Sequence, residues 1–160
     1  MTHEALIFDE ALLAPLHEKA LAAPRLRMNL NLHESPDAPC QRFLNAMEPT
    51  SYVRPHRHSG EGKEETLVVV RGRLGLFVFD DNGYVVQRTV LAAGSERFGY
   101  HVPTGVWHCT VSLAPGTVFL EAKGGPYIAG QGTDFAGWAP AEGTDEVPAY
   151  LETLRAALTD

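Results

Sequence analysis

Three histidines and one glutamate carry the spacings of a metal centre. His56-Arg57-His58 sets two imidazoles at i and i+2 on an extended segment, so both point to one face about 7 Å apart along the backbone and can share an ion. Glu65 opens the apolar run 66–70 and precedes Gly72 by seven positions. In Pro103-Thr104-Gly105-Val106-Trp107-His108 a Pro/Gly turn leads into a strand whose inward positions are Val106, His108 and Thr110. Each piece alone has a bland reading: loop histidines in water, or a solvated turn made of Glu61, Lys63, Glu64 and Glu65. Composition gives roughly 0.04 chance matches to Pro-x-Gly-x-x-His in such a chain, so its coexistence with His-x-His and a following Glu is informative. Three neutral imidazoles and a carboxylate suit one divalent transition metal (Fe, Mn, Ni, Co or Zn) and are too rich in nitrogen for Ca or Mg. The expected ligands are His56, His58, Glu65 and His108, with Glu65 preferred to Glu64 because Glu65, Leu67 and Val69 share a face.

Those residues need a β framework, and the middle of the chain supplies one. Leu26, Met28, Leu30 and Leu32 alternate with Arg27, Asn29, Asn31 and His33, a strand with one apolar and one polar face. Further strands are expected at 51–54, 66–71, 74–79, 84–90, 98–102, 106–112 and 117–123. Asp81-Asn82-Gly83 reads as a type I′ hairpin turn. Leu12, Leu13, Leu16 and Ala20 recur at helical spacing behind Asp9 as a cap, with Pro15 inside the stretch and Pro24 after it. At the other end Leu151, Leu154 and Leu158 form a stripe after Pro148, with Thr144 or Asp145 as cap. The expected organisation is one domain over 1–160: an N-terminal helix at 9–22, an antiparallel barrel at 26–123, a long loop at 124–144 and a C-terminal helix at 145–158.

At the histidines and the glutamate the sequence resembles the cupin superfamily. His56, His58, Glu65 and Gly72 match its first motif, and Pro103, Gly105 and His108 its second. Six residues rather than three or four separate His58 from Glu65, which keeps Glu64 as a competitor. Thr50 and Arg97 stand where each motif opens with Gly, and Ser112 where the second ends with Asn. A more specific resemblance, over about 27–127, is to the WbuC family of cupin-fold metalloproteins. It rests on Arg27-Met28-Asn29-Leu30-Asn31-Leu32-His33, Cys40-Gln41-Arg42, Tyr52-Val53-Arg54-Pro55-His56-Arg57-His58 and Glu121-Ala122-Lys123-Gly124-Gly125-Pro126-Tyr127. The resemblance implies an all-β, cupin-like (jelly-roll) barrel with short terminal helices, a metal held by the His/Glu set, and a bacterial setting that often includes surface-polysaccharide gene clusters. It supplies no reaction.

Composition narrows the function. The chain has 160 residues and a formal charge of −7, with no basic block, which argues against nucleic acid. Its apolar runs are too short to span a bilayer and its start lacks a basic leader, so the expected location is cytoplasmic, with Cys40 and Cys109 as thiols. The expected partner is a small polar or anionic ligand, with a homodimer allowed for. Tyr52 and Arg54 share parity with the histidines, and Arg27, His33 and Arg42 add polar groups. The WbuC resemblance implies that these face the ligand, most of all His33 and Arg42, so Arg54, Arg42, His33, Tyr52 and Arg27 are the candidate ligand-binding residues. Asn29 and Asn31 line the same face as Arg27, and that face is either a pocket wall or a solvent face. Glu121 either backs a ligand histidine or is a surface charge. The expected function is a metal-dependent enzyme, isomerase or oxygenase, acting on a sugar or sugar-derived acid. The alternatives are a noncatalytic sugar- or metal-binding module, and a metal-free epimerase using a histidine and Tyr52.

Overall fold

The architecture follows from which faces are apolar. A computed structural model describes residues 4–159, so His3 lies outside the described residues. One antiparallel sheet has the order β1 (Arg27–Asn31), β2 (Cys40–Met47), β9 (Thr117–Gly124), β4 (Glu65–Arg71), β7 (Gly99–Val102). The other runs β10 (Thr133–Phe135), β3 (His56–His58), β8 (Trp107–Ser112), β5 (Arg73–Phe79), β6 (Val85–Ala92). They face each other as a cupin-like jelly-roll sandwich; the expected barrel does not close, since the two sheets stay separate ladders.

Alternation sends one side chain inward and the next outward. Met47, Leu67, Val69, Leu74, Leu76, Leu91 and Phe119 meet between the sheets. Both outer faces are apolar as well, and each is covered by a helix. α1 (Glu10–Ala22) lays Leu13, Leu16 and Ala20 on Leu44, Ala46 and Val118. α2 (Val147–Ala157) lays Leu151 and Leu154 on Phe77, Phe79, Cys109 and Val111 of the other sheet. Cys109 is thereby turned away from the inner face, and burial raises its thiol pKa.

Local chemistry sets the ends of these elements. Asp9 caps α1, its Oδ1 accepting from the Leu12 N–H at 3.1 Å, and Pro15 sits within the helix. In α2 neither Thr144 nor Asp145 caps: Glu146 occupies the N-cap without a side-chain bond, and the Thr144 hydroxyl donates to Ala141 O. The β5–β6 turn is not type I′ either. Only Gly83 has positive φ (+87°), while Asp80 Oδ1 accepts from the Asn82 and Tyr84 amides at 2.9 Å, an Asx-type turn that costs the ladder one register step. Gly72 carries the chain from one sheet to the other at φ +80°, where a Cβ would lie 2.9 Å from Thr117 Cα.

Two strands were not expected. β2 escapes because its inward residues Gln41, Phe43 and Asn45 mix polar with apolar, which erases the period-two contrast. β10 falls in the stretch read as a long loop, 124–144, and pairs with β3 through Asp134 opposite Arg57. Conversely 51–54 forms no strand, because Pro55 lacks an N–H and the chain turns at Glu48–Ser51, whose N–H–O distance is 3.0 Å. Among the described residues no helix is long and apolar enough to cross a membrane.

Helix α2 docks through its buried leucines, and Arg155 donates to Pro49 O as well. Leu154→Ala is expected to cost about 2–5 kcal/mol in urea unfolding, the usual range for a buried leucine, without changing the inter-sheet site. A loss below about 1 kcal/mol would show that α2 adds little to the fold.

Candidate metal centre

His56 and His108 are directly opposed where β3 pairs with β8, and His58 follows two residues on, so the three rings share the inner face. Their centroids lie 4.6 Å (His56–His108), 5.1 Å (His56–His58) and 5.7 Å (His58–His108) apart. Glu65, first residue of β4, reaches across from the other sheet. The turn that precedes β8 is tied to β3 directly: Gly105, at φ +83°, donates its N–H to His58 O at 2.8 Å.

The outer nitrogen of each ring has a partner. His56 Nδ1–H donates to Arg54 O at 2.9 Å and His108 Nδ1–H to Val106 O at 2.9 Å, while His58 Nδ1 meets Thr133 Oγ1 at 3.2 Å. A carbonyl can only accept, so in His56 and His108 the proton sits on Nδ1 and the lone pair of Nε2 is free to face a ligand. One donor atom from each of His56, His58, Glu65 and His108 lies within 4.8 Å of every other. His108 Nε2 is buried with no hydrogen-bond partner among the described residues, a costly state that an ion at the centre of the four donors would relieve. Glu65 Oε2 lies 3.0 Å from His58 Nε2, and Glu65 Oε1 accepts from the Tyr100 hydroxyl at 2.7 Å. The donor set therefore fits one metal ion. Glu65 is buried among these groups and Glu64 is exposed.

Electrostatics favour the same use. Burial, then the neighbouring His108, pushes His56 down to about 3, which keeps it neutral, the form that binds metal. Burial alone would raise Glu65, yet the neighbouring His108 and His58 rings and the Lys123 ammonium hold it well below the usual carboxylate range. Beside it Glu121 is pushed up to about 8 by burial and by the charge of Glu65, against the opposing pull of Lys123. Glu121 accepts from Asn45 Nδ2 at 2.9 Å and pairs with Lys123 Nζ at 2.9 Å. It thus stands beside Glu65, neither behind a histidine nor on the surface, the two readings its position in the sequence left open.

A cavity of about 260 Å³ opens above the cluster, lined also by Arg25, Arg27, Arg54, Lys123, Glu121 and Glu142. Of the expected ligand-binding residues, Arg27 and Arg54 reach it. Tyr52 does not: its hydroxyl donates to Pro140 O at 2.9 Å and its ring packs with Phe77 and Cys109 under α2, because the irregular backbone before Pro55 breaks the parity carried back from His56. Arg42 is exposed and shares the outward parity of Leu44 on β2; its amide donates to His33 Nδ1 at 3.0 Å. His33 and the polar face of β1 look inward, onto a neighbouring groove. Tyr100, Lys123 and Arg25 were not singled out from sequence. Tyr100 was detectable, since it sits two residues before Val102 on the strand that pairs with Glu65.

The mouth is bounded by a strap, 136–142. Arg54 Nε and Nη2 donate to Ala136 O at 3.0 and 2.6 Å. Glu142 receives Arg25 in a two-bond fork at 2.7 and 2.8 Å and Arg27 at 2.8 Å.

Residues 8–91 match the family described as Domain of unknown function (DUF6016). No curated protein matches the sequence. Among solved structures, a recombinant oxalate oxidase in complex with glycolate is similar at 15% identity and TM-score 0.53, over 84% of this chain and 68% of that one. Oxalate decarboxylase from Bacillus subtilis at pH 4.6 is similar at 16% identity and TM-score 0.52, over 68% of this chain. A recombinant pro-11S globulin of pumpkin is similar at 17% and 0.53, over 71%. The chain spans 27% of the decarboxylase and 29% of the globulin. These likenesses establish the cupin fold.

Elemental analysis of untagged protein should find about one transition-metal ion per chain, and His56→Ala or His108→Ala should remove most of it. Glu65→Gln should weaken binding strongly and Tyr100→Phe by about tenfold, with Glu64→Gln near wild type. A greater loss from Glu64→Gln would overturn the assignment of Glu65.

Glu142 gives a pH prediction. Burial opposes its ionisation, but bonds from Arg25 and Arg27 outweigh that and hold it below 4.5. Its folded value lies below its unfolded one, so the anchoring is complete above about 4.5 and is lost as pH falls through the lower folded value. Amide exchange in 139–144, corrected for intrinsic rates, should quicken below that window in wild type and at every pH in Glu142→Gln. Unchanged exchange in the variant would show that Arg54 and Tyr52 hold the strap unaided.

Proposed function

The chain belongs to the family described as Domain of unknown function (DUF6016), and we propose that it is a metal-dependent enzyme acting on a small anionic metabolite, a sugar-derived acid. The observation that carries this reading is the joining of a four-donor cluster to a cavity with surplus positive charge. Arg25, Arg27, Arg54 and Lys123 line it against Glu65, Glu121 and Glu142, before any ion is counted. A carboxylate entering there meets the positive charge of guanidinium groups whose hydrogen bonds to Glu142 and Ala136 O it would have to share or displace. The oxalate oxidase neighbour is described with glycolate, a small hydroxy acid, which supports a ligand of this size and charge. The resemblance to WbuC cupins supports a sugar-related one.

A bound divalent ion supplies Lewis acidity or an oxygen-activating centre to whatever oxygen it holds. The residues of the chain do the rest. His56, His58, Glu65 and His108 fix the donor geometry, Tyr100 steadies Glu65, and Arg27 and Arg54 orient the acid. Glu121, raised to about 8, can hold a proton on its carboxyl at neutral pH beside the cavity. The metal-free epimerase alternative loses its acid, since Tyr52 lies under α2.

The test begins with a thermal-shift screen of small acids, sugars and sugar acids on metal-loaded protein, followed by mass spectrometry of each hit with and without oxygen. Conversion abolished by His108→Ala is the expected result. Arg27→Ala should keep the metal and lose roughly tenfold or more in ligand affinity. Saturable binding without conversion under every metal tried would favour the noncatalytic module instead.

A further inference from the structure

The inner cavity, at about 260 Å³, is smaller than the roughly 300–1,000 Å³ of ordinary small-molecule sites. It does not end at the cluster. Phe43, Asn45 and Lys123 line both this cavity and a groove of about 420 Å³ that continues outward along the inner face of β1 and β2. Joined, the two fall within the ordinary range and make a space longer than one small acid requires.

The chemistry of the groove changes from that of the cavity. Away from Lys123 it presents Asn29, Asn31, Gln41 and His33, with Tyr127 at the rim. The side-chain bonds already made leave complementary atoms over. Asn29 Nδ2 donates to Asn31 Oδ1 at 2.6 Å, which leaves Asn29 Oδ1 as acceptor and Asn31 Nδ2 as donor. Gln41 Nε2 is spent on Pro36 O and Ala38 O at 3.0 and 2.9 Å, leaving its Oε1. His33 Nδ1 is taken up by the Arg42 backbone, 2.9 Å from its O and 3.0 Å from its amide N, which leaves Nε2 over. Tyr127 is 58% exposed, a large aromatic face open to solvent at one end of this row.

A row of amides that both accept and donate matches hydroxyls, which do the same, and no formal charge opposes them there. An aromatic face at the rim suits the apolar C–H face of a ring. Resting on the reading above, we propose that the substrate is a saccharide acid of at least two units. Its acidic unit lies at the histidine cluster, and its next unit lies in the groove of Asn29, Asn31, Gln41, His33 and Tyr127.

Calorimetry on metal-loaded protein tests this with glucuronic and galacturonic acids and with disaccharides that end in each of them. At least one disaccharide should bind tenfold or more tighter than its own monosaccharide. Asn31→Ala and Tyr127→Ala, both at exposed positions that the core does not need, should bring that ratio close to one. Equal affinities for the two lengths, no binding of either, or a ratio that survives both substitutions would overturn the groove assignment. The metal content and the small-acid screen decide the reading of the cluster separately: a chain that holds metal and a small acid but gains nothing from a second ring loses only the groove.

Discussion

A carboxylate buried at the junction of two sheets must be compensated, and much of this molecule is arranged around that need. Glu65 is 4% exposed and touches His58 and Tyr100, with Glu121 beside it in the same cavity wall. Its compensation draws on both layers: imidazoles from β3 and β8 on one side, the Tyr100 hydroxyl from β7 and the Lys123 ammonium from β9 on the other. A single unpaired charge in such a place would be expected to cost several kcal/mol. The cluster is therefore a clasp between the sheets as well as a donor set, and the apolar core around Leu67 and Phe119 continues directly from it.

What could be read from the sequence was what period and spacing carry. His56, His58 and His108 announced themselves by type and interval, and the parity of Glu65 with Leu67 and Val69 chose the buried carboxylate over its exposed neighbour. The helices showed through their leucine stripes. The rest was hidden for a common reason. The inner face of the sandwich is polar where it lines the cavity, so Gln41, Asn45, Glu121 and Lys123 blur the alternation that would have marked β2 and the inward side of β9. Parity also fails where the backbone is not a strand. Carrying it back through Pro55 put Tyr52 in the cavity, and the irregular chain put it under α2.

The same polar lining divides the inner space into regions of different character. Near the cluster the groups are charged and mutually paired. Along β1 they are neutral amides with atoms left over. Phe43 and Lys123, whose ammonium lies 5.1 Å from the centre of the phenyl ring, stand at the boundary. Short, stiff strands carry this boundary, so its position is set by ladder register and not by loop conformation.

Arg54 holds the strap with its guanidinium, through Ala136 O, and holds the His56 ring with its own carbonyl. One residue thus joins the door to the hinge pin. A looser strap would exchange ligands faster, but the same slack would reach the imidazole through one peptide unit and let a held ion escape sooner. The mobility of the strap and the orientation of the His56 ring are thus coupled through Arg54, and separating them would require a new anchor for the strap elsewhere in the chain.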